Sequence, residues 1–306
     1  MTDDTDPTRR AMLAGGALAA AATTLGTTAA RAQDAPAGEL AGQIALVTGG
    51  ARAIGRAIAL ELARMGADVA ILDIADPEAI PGIGYPLASR ADLDEAVELV
   101  RAEGVRSMAI VADIRDEAAL REARAAVEAE LGPVDILCPN AAIVTSAAFD
   151  EMTGDEWRVA IDVNLNGTAN TIRVFMPPMM ERGRGRVVVT SSSVARHGSA
   201  GNAQYVASKW GVNGLVKSAA AAAASAGVTA TAVAPTAVES VRMPEGDALE
   251  QANEALSNGG YNAMDIAFLE PVEIGHAVAF LASPRAAFIT GEIVDVAAGA
   301  NIRWTA

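Results

Sequence analysis

From Gln43 onward, short runs of β-branched and aliphatic residues alternate with longer segments whose apolar positions recur at helical spacing. The short runs predict strands at Ile44–Thr48, Asp68–Leu72, Ser107–Ala112, Asp135–Pro139, Arg186–Ser191, Thr229–Ala234 and Glu292–Val296. The longer segments predict helices near Ile54–Met65, Leu93–Glu103, Glu117–Leu131, Gly154–Met176, Tyr205–Ala226 and Pro271–Ala282. Strands that are apolar throughout are buried on both faces, and strict alternation with helices calls for parallel pairing. The connections are too short to hide a second domain, and no internal repeat is visible. The expected fold is therefore α/β, one doubly wound domain with a seven-stranded parallel sheet flanked by helices, over residues 41–306. Two stretches break the rhythm, Ile74–Ala91 and Thr236–Glu270.

Ahead of the domain, Thr8-Arg9-Arg10-Ala11-Met12-Leu13 opens a weakly apolar stretch rich in Ala and Gly, and Ala30-Arg31-Ala32 offers a small-x-small cleavage site. Together they resemble a twin-arginine export signal over residues 1–32, followed by a linker over 33–40. The expected location is periplasmic or exported, or cytoplasmic if the signal is not used. The apolar run is too short and too diluted by Gly and Thr for a stable membrane anchor. Net charge is −15, which argues against nucleic acid as a partner. Cys138 is the lone cysteine and lies in an apolar run, so it reads as a core residue. With two histidines, His197 and His276, no metal site is expected.

Candidate chemistry begins at the first strand-to-helix turn, Thr48-Gly49-Gly50-Ala51-Arg52-Ala53-Ile54-Gly55. Glycines allow a tight turn there, and the helix N-terminus offers free N–H groups to a pyrophosphate. The spacing is not Gly-x-Gly-x-x-Gly, and any tight turn of this kind wants glycine, so the turn alone is weak. Asp73 ends the second strand, where a carboxylate can accept the adenosine ribose hydroxyls and repel a 2′-phosphate. Arg52 pulls the other way, since a guanidinium could pair with that phosphate. Repulsion by Asp73 favours NAD over NADP. Further on, Ser192 precedes Tyr205 by thirteen positions, and Tyr205-Val206-Ala207-Ser208-Lys209 places phenol and amine on one helix face. An ammonium beside a phenol draws the phenol pKa down from about 10. Taken singly, Tyr205 and Lys209 are as well explained as an ordinary helix pair, and Ser192 as a turn residue.

Assembled in order, these residues resemble the short-chain dehydrogenase/reductase family over residues 41–300, a Rossmann-type fold. Thr48-Gly49…Ala53-Ile54-Gly55 is similar to the family's cofactor turn, with Ala53 in place of its middle glycine. Ala112-Asp113, followed by Ile114, stands at the adenine position. Pro139-Asn140-Ala141-Ala142 stands where the family has Asn-Asn-Ala-Gly, which puts the hydrogen-bond support of the fourth strand in question. Asn164, Ser192, Tyr205 and Lys209 match the family's catalytic set. Pro235-Thr236-Ala237-Val238 replaces Pro-Gly at the position that holds the nicotinamide, so Thr236 changes that contact. Ser191 and Ser193 read as turn-forming hydroxyls, and His197 as a solvent-facing loop residue.

The resemblance implies a dehydrogenase that interconverts a secondary alcohol and a ketone. In it Tyr205 is the general acid/base, Lys209 lowers its pKa and holds the nicotinamide ribose, Ser192 positions the substrate oxygen, and Asn164 holds a water for proton relay. The implied cofactor contacts are Gly49, Arg52, Ala53, Ile54, Gly55, Asp73, Asp113, Ile114, Asn140, Ala141, Tyr205, Lys209, Pro235 and Val238. The run Gly82-Ile83-Gly84-Tyr85-Pro86-Leu87-Ala88-Ser89, leading into Asp92-Leu93, is similar to an insert in carveol-dehydrogenase-like and mycofactocin-coupled members, which implies tight retention of the cofactor with the insert near the adenosine. A harmless surface loop is the other reading. Residues 236–270 are expected to form a substrate lid, and helices 154–176 and 205–226 to build a homo-oligomer, tetramer or dimer. A nicotinamide-binding sensor or scaffold on the same fold is the rival, but a pure binder need not keep all four catalytic residues.

Overall fold

The computed structural model describes residues 38–257 and 261–303. The proposed export signal and most of the linker lie outside the described residues. Leu40, assigned from sequence to the linker, is fully buried, so the fold begins before Ala41.

Seven parallel strands form one sheet in the order β3-β2-β1-β4-β5-β6-β7. They are β1 (Ile44–Thr48), β2 (Asp68–Asp73), β3 (Ser107–Val111), β4 (Ile136–Cys138), β5 (Gly185–Thr190), β6 (Val228–Pro235) and β7 (Ile293–Val296). Helices α1 (Ala53–Arg64), α2 (Arg90–Ala102) and α8 (Pro271–Ala282) cover one face. Helices α3 (Glu117–Glu130), α5 (Thr168–Arg182) and α6 (Ala203–Ala223) cover the other. The strand side chains divide accordingly. Val47, Ile136 and Val188 pack with Ile58, Leu93 and Val278, whereas Leu46, Leu137 and Val187 pack with Leu120, Phe175 and Val216 on the opposite face. A doubly covered sheet needs apolar residues at every strand position, which is why the strands read as continuous runs.

The chain winds outward from β1 through β2 to β3, then returns to β4 and winds the other way. The first and fourth strands are thus neighbours whose following connections diverge, leaving a crevice beyond their carboxyl ends.

Three details differ from the sequence expectation. The helix expected over 154–176 is α4 (Gly154–Ile161), a π-helical stretch (Asp162–Gly167) and α5, which runs to Arg182 through Pro177 and Pro178. Proline disfavours helix interiors, but burial of Phe175 and Met179 under the sheet carries the helix past both, to Gly183 in the left-handed conformation. The break in the rhythm at 236–270 contains an extra helix, α7 (Asp247–Leu256), none of whose residues is buried. The fourth strand keeps its support despite Pro139. The Pro139 carbonyl accepts from Thr190 N, and Asn140 Nδ2 donates to the carbonyls of Thr48 and Gly49, at 3.1 Å each. Thr48 Oγ1 in turn accepts from Asn140 N and Ala141 N.

Among the described residues no helix is long and apolar enough to cross a membrane. No group of three or more His, Cys, Asp or Glu side chains among them could hold a metal ion.

Candidate functional site

The crevice is a cleft of about 890 Å³. Its floor is the turn from β1 into α1, and the glycines there are steric necessities. A Cβ on Gly55 would lie 2.0 Å from the Gly49 carbonyl oxygen, and one on Gly49 would lie 2.7 Å from Ala141 Cα. Ala53, in place of the family's middle glycine, takes φ +45, a conformation that is costly for any residue with a Cβ. Gly49 and Arg52 to Gly55 therefore line the cleft at the start of α1, where a pyrophosphate could approach the backbone.

All fourteen expected cofactor contacts line this one cleft: Gly49, Arg52, Ala53, Ile54, Gly55, Asp73, Asp113, Ile114, Asn140, Ala141, Tyr205, Lys209, Pro235 and Val238. Asp73 is buried at the end of β2, and its carboxylate accepts from Ala51 N at 3.2 Å. Burial pushes this carboxyl up from its usual range, opposed by the N–H groups of Ala51, Ala75 and Ile74 and by the Arg52 guanidinium. Arg52 itself donates to the Pro86 carbonyl at 2.8 Å, and Asp113 is held by Arg115 Nε at 2.8 Å. Two buried oxygens without a partner, Thr190 Oγ1 and Asn202 Oδ1, belong to residues lining the cleft. Orphaned polar atoms of this kind fit a polar ligand. Together with the glycine cradle they suit a dinucleotide.

At the far end, Ser192, Tyr205 and Lys209 meet. The strand β5 ends at Thr190, which delivers Ser192 to the cleft, and the first turns of α6 present Tyr205 and Lys209. Burial holds the Tyr205 phenol above its ordinary pKa, opposed by the neighbouring Ser192 side chain. The Lys209 ammonium donates to the Thr190 carbonyl at 2.9 Å and lies 5.8 Å from the Tyr205 ring centre. Burial first, and then Arg242, bring its pKa down to about 8. The charge of Arg242 also draws the phenol down.

Asn164 does not face the cleft. It is fully buried in the π-helical stretch, where Oδ1 accepts from Ile143 N and Nδ2 donates to Ile143 O, both at 2.8 Å. Nδ2 also reaches Ser208 Oγ at 3.2 Å. Asn164 thus clips the segment after β4 to α6, between Tyr205 and Lys209. Ser191 and Ser193 are not simple turn residues. Ser191 Oγ donates to Asn213 on α6 at 2.6 Å, and Ser193 Oγ pairs with Tyr261 Oη at 3.2 Å. His197 is not solvent-facing either, since Nε2 lies 2.6 Å from that same Tyr261 hydroxyl. The hydroxyl of Thr236 donates to buried Asn262 at 3.0 Å, which fastens the lid to the end of β6. Cys138 is wholly buried in the core, its thiol pushed up to about 12 by burial.

Sequence reasoning missed Tyr85 and Arg242 as parts of the reaction end. The insert does not stop near the adenosine side: Tyr85 Oη accepts from Val144 N at 3.0 Å, and the ring lies under the Arg242 guanidinium at 5.7 Å. One signal was available. Arg242 is the lone cation of residues 236–270, among acidic residues from Glu239 to Glu270.

Comparison with known proteins agrees with this geometry. The family profile described as short chain dehydrogenase matches residues 43–250. The chain is 36% identical over 269 residues to an uncharacterised NAD-dependent oxidoreductase of Mycobacterium tuberculosis, covering 86% of this chain and 97% of that one. It is 34% identical over 275 residues to (−)-trans-carveol dehydrogenase of Rhodococcus erythropolis, covering 86% and 98%. The crystal structure of carveol dehydrogenase from Mycobacterium avium in complex with NAD superposes with a TM-score of 0.80 at 30% identity, covering 87% of this chain and 99% of that one. With its strand order, its glycine cradle and these relatives, the chain belongs to the short-chain dehydrogenase family of oxidoreductases.

Proposed function

We propose that this chain is an NAD-dependent dehydrogenase that interconverts a secondary alcohol and its ketone. The observation that carries the reading is the convergence of Ser192, Tyr205 and Lys209 in the same cleft as the Gly49–Gly55 cradle. Ser192 holds the substrate oxygen. Tyr205 accepts the hydroxyl proton at Oη in oxidation and returns it in reduction. Lys209, with a pKa of about 8, supplies positive charge near the phenol and a donor toward the cofactor ribose. Asn164 acts as a positioning residue, fixing the Ile143 backbone and Ser208. Bound NAD supplies the ring carbon that takes up the hydride. Asp73 in its ribose position, and an Arg52 already engaged by Pro86, favour NAD over NADP. The NAD complex of the Mycobacterium avium relative supports the same choice. The test is a panel of secondary alcohols followed by absorbance of the reduced nicotinamide. Turnover with NAD at least about tenfold better than with NADP is expected. No reduction of either cofactor by any alcohol contradicts the reading.

The insert supports a further part of this proposal, slow cofactor exchange. It touches the cleft at two ends, through Arg52–Pro86 and Tyr85–Val144, and Ile80 and Ala88 anchor it in the core. Purified protein is expected to retain NAD through desalting, and release of NAD on a single column contradicts retention. Export of the folded, loaded chain through the twin-arginine route follows from the Arg9-Arg10 presequence. Replacing both arginines by lysine should hold the chain in the cytoplasm, as fractionation would show. Exposed Trp157 on α4 and Trp210 on α6 favour a homo-oligomer through those helices, measurable by light scattering.

A further inference from the structure

Most charge in the cleft is committed, the carboxylate of Glu239 on the lid excepted. Arg52 donates to a carbonyl, Asp73 and Asp113 accept from protein donors, and Lys209 is held by the Thr190 carbonyl. Arg242 is different. It lines the cleft from the lid, in a segment with no other cation and many acids, yet among the described residues no carboxylate lies within ion-pairing distance of it. Its guanidinium carries no hydrogen bond there and rests on the Tyr85 ring at 5.7 Å. Tyr85 is itself fixed by Val144 N, so the stack presents a preorganised fork rather than a wandering side chain.

Placing this cation near Lys209 has a cost, since it disfavours the charged form of Lys209. A neutral substrate does nothing to offset that cost, whereas an anion does. A guanidinium matches a carboxylate or a phosphate through two parallel hydrogen bonds. Two sources could supply the anion, a carboxylate on the substrate or the diphosphate of the cofactor. The diphosphate cradle is the Gly49–Gly55 turn, whereas Arg242 acts on Tyr205 and Lys209, the groups at the reacting end.

Resting on the alcohol/ketone reading above, we propose that Arg242 is a specificity-determining residue that binds a substrate carboxylate, so that the preferred substrates are hydroxy acids and oxo acids. The reaction class is unchanged, and the carboxylate takes no part in bond making.

The experiment compares two oxo acids, acetoacetate and levulinate, with their methyl esters, in kcat/KM for reduction by the wild type, R242Q and R242K. At least one acid should exceed its ester by about tenfold or more in the wild type. R242Q should bring that ratio to near unity and R242K should restore part of it, while the Kd for NAD, from quenching of protein fluorescence, moves by less than about twofold. The preference should also shrink as salt is raised. A wild-type ratio near unity overturns the proposal. So does a rise in the NAD Kd of R242Q with acid and ester losing rate equally, which would assign the anion to the diphosphate. Calorimetric titration of the NAD-loaded protein with the same compounds separates this inference from the reading beneath it. Arg242-dependent binding of an acid that is not reduced when NADH is supplied counts against the dehydrogenase reading and keeps the anion site. Absence of such binding refutes the anion site whatever the turnover.

Discussion

The two walls of the cleft are built differently. One wall is sheet edge and helix start: β1, β4 and β5 end there, and their carboxyl-end residues are locked by backbone bonds such as Thr190 N to Pro139 O and by the Asn140 clip on Thr48 and Gly49. The opposite wall is irregular chain, the insert and the lid. It is tied by scattered contacts, through side chains from Tyr85 to Val144, Thr236 to Asn262, and Ser193 and His197 to Tyr261, and through the backbone from Ala263 and Met264 to Ala298. In the proposed reading the sheet wall carries the chemistry, which tolerates little displacement, and its geometry comes from the fold itself. The loop wall would select what enters, and it can be rebuilt without disturbing β-strand register.

Four substitutions sharpen that contrast. The largest effect should come from Tyr205→Phe, which removes the proposed proton acceptor. Turnover is expected to fall by about 100-fold to 10,000-fold while NAD affinity stays within a few-fold. Near-normal activity would remove Tyr205 from its role. Next is Gly55→Ala on the same wall. Its new Cβ would lie 2.0 Å from the Gly49 carbonyl oxygen, so the cradle must distort. A loss of about 1–3 kcal/mol in unfolding free energy is expected, with NAD binding weakened by more than about tenfold; thermal melts and NAD titration check both.

On the loop wall, removal of Arg242 should act through pH. Arg242 lowers the Tyr205 pKa, so R242Q raises it. Oxidation needs the phenolate and increases as pH rises through that pKa, so its rising limb should move to higher pH. Reduction needs the phenol, so its falling limb should move up as well. A profile that does not move, or moves down, contradicts the assigned charge effect. The smallest effect is Ala53→Gly. Ala53 sits at φ +45, and glycine there relieves a penalty of about 1 kcal/mol, so the melting temperature should rise slightly.

The same contrast explains what could be read from the sequence. The sheet wall was legible because its causes are local. Continuous apolar runs announce strands buried on both faces, glycines announce a turn where no Cβ fits, and Tyr205 and Lys209 share a face by helical periodicity alone. Proline misled at Pro177-Pro178, because burial of Met179 is a tertiary gain that no local propensity reports. The loop wall was largely illegible. Nothing in Gly82–Pro86 says that Tyr85 reaches Val144, and nothing in the lid says that Tyr261 reaches Ser193 and His197. Those contacts depend on how two irregular segments settle against a finished core. Arg242 is intermediate: its isolation among acids was visible, but its position over Tyr85 was not.

A crystal structure with NAD and a slowly turned-over secondary alcohol bears most directly on the assignment of the reaction centre. The account predicts one substrate oxygen within about 2.6–3.2 Å of both Tyr205 Oη and Ser192 Oγ. An alcohol oxygen held by other groups, with Tyr205 and Ser192 bonded only to each other, would contradict it.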